Sequence, residues 1–452
     1  MGCAAREFLP TSRRGLHARL DRQSRLAQTA RLAGLAPPGR LVRLVRLAGS
    51  LLTVAILYNP AEAAPRIPAR DDIVLERVPA AAEVKSLEPL RTRVSAHPRD
   101  VKSALALARG YLDIGRGNAD PRFVSYAQAT LAPWLAEPRP SPEVLTLSAT
   151  ALQYLHRFDE ALVLLDRAIA AQPLDGQAWL TRASILQVQG HFEEARKACR
   201  PLIRASSQLV ALACLTGVDS LDGHLSESDV ALKSIFRNEP ALPASVRTWV
   251  LEQLADMACR LGDEPTAEAY LKEGLSIAPR DPYLKAAYAD LLLNERRDLE
   301  VLSLLQGDEQ QDNLLLRLAI AGARLHSDSA RRWSNLFQAR YEAARRDGDS
   351  THLREQARFL VEVRGRPAEA LALAQRNWQV QREPADVYIY IEAAAALGDL
   401  RRAQPVLDWV RNTHYQDQAL ETLRRTSRLS PQATSPPSPQ ATPSLARGLA
   451  SR

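Results

Sequence analysis

Large aromatic side chains are scarce in this 452-residue chain, with seven Phe, six Trp and eleven Tyr, and methionine is scarcer still at two. One globular core of this length ordinarily draws on rings to fill its volume, so the shortage argues against a single large core. Recognisable catalytic signatures are missing too. The sequence contains no Gly-rich phosphate loop, no Gly-x-Ser-x-Gly elbow and no His-Glu-x-x-His spacing. No catalytic residue, metal or cofactor is expected, and the function is read as non-enzymatic.

What the chain has is Ala, Leu and Arg. Stacked helix pairs can be held together by Ala and Leu at close-packed seams, which makes an internal repeat the first thing to look for. The formal charge of +7 would ordinarily invite a nucleic-acid reading. Its location excludes that reading. Residues 1–63 hold ten Arg, no Lys and three acids (Glu7, Asp21, Glu62), which leaves 49 basic and 49 acidic residues over 64–452. A neutral body lacks the footprint that phosphate binding requires.

Residues 40–63 read as a secretory signal. Arg40, Arg43 and Arg46 form a positive flank, Leu47 to Leu57 an apolar run, and Ala61-Glu62-Ala63 a small-residue cleavage point. The uncharged stretch from Leu47 to Ala61 is short of the ~20 residues that span a bilayer, so cleavage is expected, with an inner-membrane anchor facing the periplasm as the alternative. The segment 1–39 is long and Arg-rich for a positive flank and is read as an extension from a mis-assigned start. Residues 64–99 read as a Pro-rich linker with a short helix, and 426–452, where Ser430-Pro-Gln-Ala-Thr434 recurs at 438–442, as a disordered Pro/Ser-rich tail.

Between them the chain is helix after helix. Phe158-Asp-Glu-Ala161 recurs 34 residues later as Phe192-Glu-Glu-Ala195, each opening a helix whose apolar residues step by three and four. Turn glycines fall at Gly190, Gly223, Gly262, Gly365 and Gly398, and Pro98, Pro173 and Pro279 close helices with an Asp just beyond. The clearest copies are 142–175 (Leu145, Ala149, Leu152, Phe158, Ala161, Leu165, Ala168) and 176–208 (Trp179, Ala183, Leu186, Gly190, Phe192, Ala195). An insertion is expected in the first copy, around Asn118 to Phe123.

On these residues the stretch 100–425 resembles the tetratricopeptide repeat family, in the manner of an exported bacterial envelope protein. The resemblance implies an all-α fold, a right-handed α-solenoid of about seven or eight helix-turn-helix repeats, with a concave face lined by the first helix of each pair. It also implies that this face binds an extended peptide or a partner helix. Stepping along the first helices puts Thr146, Thr150, Gln153, Ser184 and Gln187 in the groove early, and Glu252, Asp256, Asp290, Tyr388 and Glu392 later, with Tyr283, Glu355, Phe359 and Glu362 among them. The groove is expected to turn acidic and to favour a basic segment. The family's clamp for carboxyl-terminal peptides uses Lys and Asn where this chain has Thr, Gln and Glu, which argues against that mode.

Two further patterns bear on chemistry. Cys199 and Cys214 would join the second helix of one pair to the first helix of the next, either as a disulfide or as two buried thiols, leaving Cys259 unpaired. His156, His191 and His224 recur at nearly the repeat period in turns, but neighbouring turns about 10 Å apart do not share one metal ion, so they are read as polar turn residues. The function expected is a periplasmic protein–protein interaction scaffold or assembly factor, with an accessory subunit of an envelope enzyme or transporter as the alternative, and a cytoplasmic regulator if the leader is not an export signal.

Overall fold

A computed structural model describes residues 82–239, 241–346 and 351–426. The extension 1–39, the signal 40–63, most of the linker and the tail from 427 lie outside the described residues. By its contacts the chain divides into two units, the larger of which holds the described residues from Ser86 onward. Only residues 82–85 of the smaller unit are described, and every helix pair belongs to the larger.

After a short helix α1 (Glu88–Ala96), helices follow in pairs, and no strand occurs among the described residues. The first four pairs are α2 (Val101–Asn118) with α3 (Pro121–Leu135), α4 (Pro142–Tyr154) with α5 (Phe158–Ala171), α6 (Gly176–Val188) with α7 (Phe192–Cys199), which one turn later gives α8 (Leu202–Ala205), and α9 (Gln208–Asp219) with α10 (Leu225–Arg237). The next three are α11 (Ala244–Leu261) with α12 (Glu264–Ile277), α13 (Pro282–Asn294) with α14 (Asp298–Leu304), and α15 (Asp312–Leu325) with α16 (Ala330–Arg346). The last two are α17 (Leu353–Glu362) with α18 (Pro367–Trp378) and α19 (Pro384–Ala396) with α20 (Gln404–Asn412), followed by α21 (Gln418–Thr426). Nine pairs are therefore described, against the seven or eight expected. The extra residues expected near Asn118 lengthen α2, at 18 residues against 13 for α4, before the chain turns tightly through left-handed Ala119 into α3.

The local sequence explains these boundaries. Asp100, Asp175 and Asp281, the acids that follow the helix-closing prolines, each cap a first helix by accepting a backbone N–H from Ser103, Ala178 and Leu284 respectively. Ser141 and Ser207 do the same for α4 and α9. The second helices α5 and α7 lack such caps but carry acids in their first turn, Asp159 and Glu160 in α5 and Glu193 and Glu194 in α7, where the helix dipole favours them.

Packing follows the small-against-large pattern. Ala149, Ala161, Ala183 and Ala195 are buried at the crossings, and Phe158 and Phe192 fill the wedges beside them. Each pair covers the apolar side of the one before it, and successive first helices touch one another to form an inner layer. Cys199 and Cys214 are joined in a disulfide with Cα atoms 5.6 Å apart, tying α7 to α9. Cys259 is not left unpaired as expected: it too is disulfide-bonded. Replacing Cys199 and Cys214 together by Ser is expected to lower stability by about 3 kcal/mol, the entropy of a ~15-residue loop. Denaturant unfolding with and without reductant checks this, and equal midpoints for the two proteins would contradict it. No described helix is long and apolar enough to cross a membrane.

Candidate functional site

The inner layer is where the predicted groove residues fall, and the structure sorts them into three groups. In the early pairs, Thr146 is buried and donates to the capping carboxylate Asp175 Oδ2 at 2.8 Å, so it ties α4 to α6 and does not face a ligand. Thr150 donates to the Thr146 carbonyl at 3.0 Å, and Gln153, Ser184 and Gln187 stay half-buried.

In the middle pairs, Glu252 on α11 is half-buried and has no ion pair among the described residues, and burial pushes its pKa up. Tyr283 is 39% exposed, yet enough protein surrounds its hydroxyl that burial pushes its pKa up to about 12. Tyr283 and Glu252 both lie within electrostatic reach of Arg116, at the end of α2, and of Asp281, and Tyr283 also of Tyr154, at the end of α4. The ends of the first helices of the first two pairs thus lie near the fifth and sixth pairs. Asp256, by contrast, is committed: it accepts from Arg260 Nε at 2.9 Å, while that buried guanidinium also donates to the Ser220 carbonyl and hydroxyl.

In the late pairs the expected acidity is cancelled. Asp290 is buried and bonded by Arg317 from α15 and by Arg358 Nη1 from α17 at 2.6 Å. Burial would raise the Asp290 pKa, but the two guanidinium charges outweigh it and hold the carboxyl below its usual range. Arg358 Nε continues to Glu362 at 2.6 Å, Arg324 Nη2 reaches the other Glu362 oxygen at 2.7 Å, and Arg324 Nη1 reaches Asp298 at 3.2 Å. Glu355 is paired with Arg354. The acidic groove is therefore corrected here to an alternating ladder of carboxylates and arginines. Glu392 lies beside it without an ion pair of its own among the described residues, and burial together with the Glu362 charge pushes its pKa up to about 8. Phe359 and Tyr388 are buried, and Tyr388 shares a hydrogen bond with Asp417 beyond α20.

Sequence reasoning passed over these arginines because it looked for one sign of charge. Arg317, Arg324 and Arg354 each pair with an acid on an adjacent first helix or its cap, 27 residues away for Arg317 and Asp290 and 29 for Arg354 and Glu383, while Arg358 reaches Asp290 two first helices away. A search for opposite charges about one repeat apart would have exposed part of the ladder.

The second surprise is a self-contact. The last two pairs pack on the turns of the second, third and fourth. Phe192 on α7 meets Trp409 on α20 with ring centroids 6.0 Å apart, and Trp409 in turn meets Trp378 and Tyr415. The Arg382 N–H donates to the Val188 carbonyl at 2.8 Å, and the Leu225 N–H to Gln416 Oε1 at 2.9 Å. One apolar cluster runs through Cys199, Cys214, Trp378, Ile391 and Tyr415. Gly190, at φ +78°, lies so near that a Cβ there would sit 3.3 Å from Arg382 Cδ, and one on Gly223, at φ +87°, 3.0 Å from His414 Cβ. The repeated turn glycines thus serve both the helix ends and this seam.

The three turn histidines are out of register. His156, at φ +53°, occupies the left-handed position taken by Gly190 and Gly223, whereas His191 and His224 sit one place later as N-caps of α7 and α10. No cluster of metal-ligating side chains occurs among the described residues.

No known family model matches the chain, and no curated protein matches it. Solved structures do overlap with it. A human IFIT1 dimer with m7Gppp-AAAA shares 14% identity over 77% of this chain and 86% of its own, at a TM-score of 0.42. A tetratricopeptide repeat protein from Parabacteroides merdae ATCC 43184 shares 14% over 67% and 98%, at 0.32, and the P58(IPK) TPR domain 17% over 74% and 99%, at 0.21. Likeness at this level says nothing of ligands, and the assignment rests on the molecule itself. With its 34-residue helix-turn-helix period, small residues at the crossings and an inner layer of first helices, the protein is an all-α solenoid whose helix pairs resemble tetratricopeptide repeats.

Proposed function

We propose that the protein is a non-catalytic interaction scaffold that holds an extended segment of a partner protein on its inner face, with a basic side chain of that segment set on Glu252. The observation that carries this reading is Glu252 itself. It is a half-buried carboxyl on the inner layer that bonds no Lys or Arg side chain among the described residues, while its neighbour Asp256 already has Arg260. The nearby Tyr283 and Tyr154 offer rings for contact with an extended peptide.

An exported, periplasmic setting fits the same reading. A disulfide between Cys199 and Cys214 matches an oxidising compartment, and the segment 40–63 has the composition of an export signal. The partner would then be an envelope protein.

Glu252→Lys should weaken binding of an extended Arg-containing peptide by about tenfold or more, because it puts like charges opposite each other. Fluorescence anisotropy reads the effect, and an unchanged Kd would remove Glu252 from the binding face. Asp256 is unsuitable for the same test, since its loss would strand the buried Arg260.

A further inference from the structure

At the seam, a run of directional hydrogen bonds links the entry of α19 to the turn after α4. Asp386, buried, accepts from Asn377 Nδ2 at 2.7 Å, from Arg354 Nη1 at 3.2 Å and from the Glu383 N–H at 2.8 Å. A carboxylate only accepts, so the Asn377 amide must turn its nitrogen toward Asp386 and its oxygen away. That oxygen receives Gln381 Nε2 at 3.3 Å. Gln381 then has one hydrogen left on the same nitrogen, and His156 Nδ1 lies 3.2 Å from it. The orientation set at Asp386 is thereby passed through two buried amides, and it requires His156 Nδ1 to be a bare acceptor, with the ring neutral and its proton on Nε2.

We infer that this chain, Asp386 to Asn377 to Gln381 to His156, is a proton-responsive clasp that fastens the eighth and ninth helix pairs to the turn edge of the second. The inference stands on the seam alone and is independent of what the inner face binds. A proton on Nδ1 would set an N–H against the Gln381 N–H. Gln381 cannot simply reverse, because Asn377 presents an oxygen to it, and Asn377 cannot reverse because the Asp386 Oδ1 it faces also accepts from Arg354 and stays an acceptor even when the other carboxyl oxygen carries a proton. The groups that act electrostatically on His156 are His352 and Arg354, which repel a second positive charge, and Glu355 and Glu383, which attract it; Phe158 stacks on the ring at 5.4 Å. Glu355 and Glu383 are both already paired with Arg354.

Burial, helped by His352 and Arg354, brings the His156 pKa down to about 4. A histidine depressed in the fold contributes stability that is whole above its unfolded pKa of about 6.5 and is lost as the pH falls through about 4. Asp386 runs the other way, since burial pushes it up to about 6 and its protonation is favoured by the fold. His156 is therefore the group in the chain whose protonation works against closure.

Hydrogen exchange on the full chain tests this at residues 379–383, whose Arg382 amide bridges to Val188. After correction for intrinsic exchange, protection there should fall about tenfold or more between pH 6 and pH 4, while helix content by circular dichroism is retained. In His156→Asn, protection should persist, because Asn tolerates positive φ, can offer an amide oxygen to Gln381 and takes up no proton. Nitrogen NMR of the wild-type ring at neutral pH should show Nδ1 unprotonated, and this holds even if the variant fails to fold. Protection that survives acid in the wild type, loss at the same pH in the Asn variant, or a protonated Nδ1 at pH 7 would each overturn the clasp.

Discussion

Asp290→Ala is expected to lower stability by about 3 kcal/mol, because it removes the acceptor between two guanidinium groups and leaves both facing a weakly solvated interior. The Asp290 side chain is 4% exposed and those of Arg317 and Arg358 are 12% and 17%, so the stranded charges regain little water. The damage should spread along the ladder, since Arg358 also carries Glu362, and Glu362 carries Arg324. Urea unfolding followed by circular dichroism measures it, and a loss below about 1 kcal/mol would show that the pairs are worth no more than exposed ones.

Trp409→Ala should have a comparable effect for a different reason. Trp409 contacts Phe192, Trp378 and Tyr415 at once, with centroid separations of 6.0, 5.4 and 5.8 Å, and so joins the third pair to the eighth and ninth. Truncating a large ring in such a site costs about 3 kcal/mol. The more telling consequence concerns cooperativity. In a solenoid whose pairs touch only their neighbours, distant pairs unfold with little knowledge of one another. Here the seam couples them, so probes in the third and ninth pairs should report one transition in the wild type and two in the variant. Coincident transitions in both proteins would mean that the ring contact does not carry the coupling.

The parts of this structure that were legible in the sequence are the local ones. The Phe158 and Phe192 motifs mark second helices because a ring must fill the wedge left by Ala149 and Ala183, and that demand repeats with the helix pair. The acids after Pro98, Pro173 and Pro279 mark helix starts because an orphan N–H needs an acceptor wherever a chain enters a helix. The pairing of Cys199 with Cys214 was within reach because both lie on elements adjacent in sequence. What stayed hidden involves contacts of no fixed separation. Gln381 meets His156 across 225 residues and Arg382 meets Gln189 across 193, and no periodicity encodes either. The groove was misjudged for a subtler reason. Its carboxylates were found at Asp290, Glu355 and Glu362, but Arg317 and Arg324, which help neutralise Asp290 and Glu362, sit on neighbouring first helices and become visible only when the helices are laid side by side.

Contact between early turns and late helices also constrains how such a chain can change over time. An open stack tolerates the gain or loss of a repeat, because each added layer merely extends the end. Deleting one pair between the fourth and the eighth would displace Trp409 from Phe192 by about a helix spacing, roughly 10 Å, and bring neither Gln381 to His156 nor Gln416 to Leu225. Repeat number in this molecule is therefore an inherited dimension that drifts far less freely than the residues filling it.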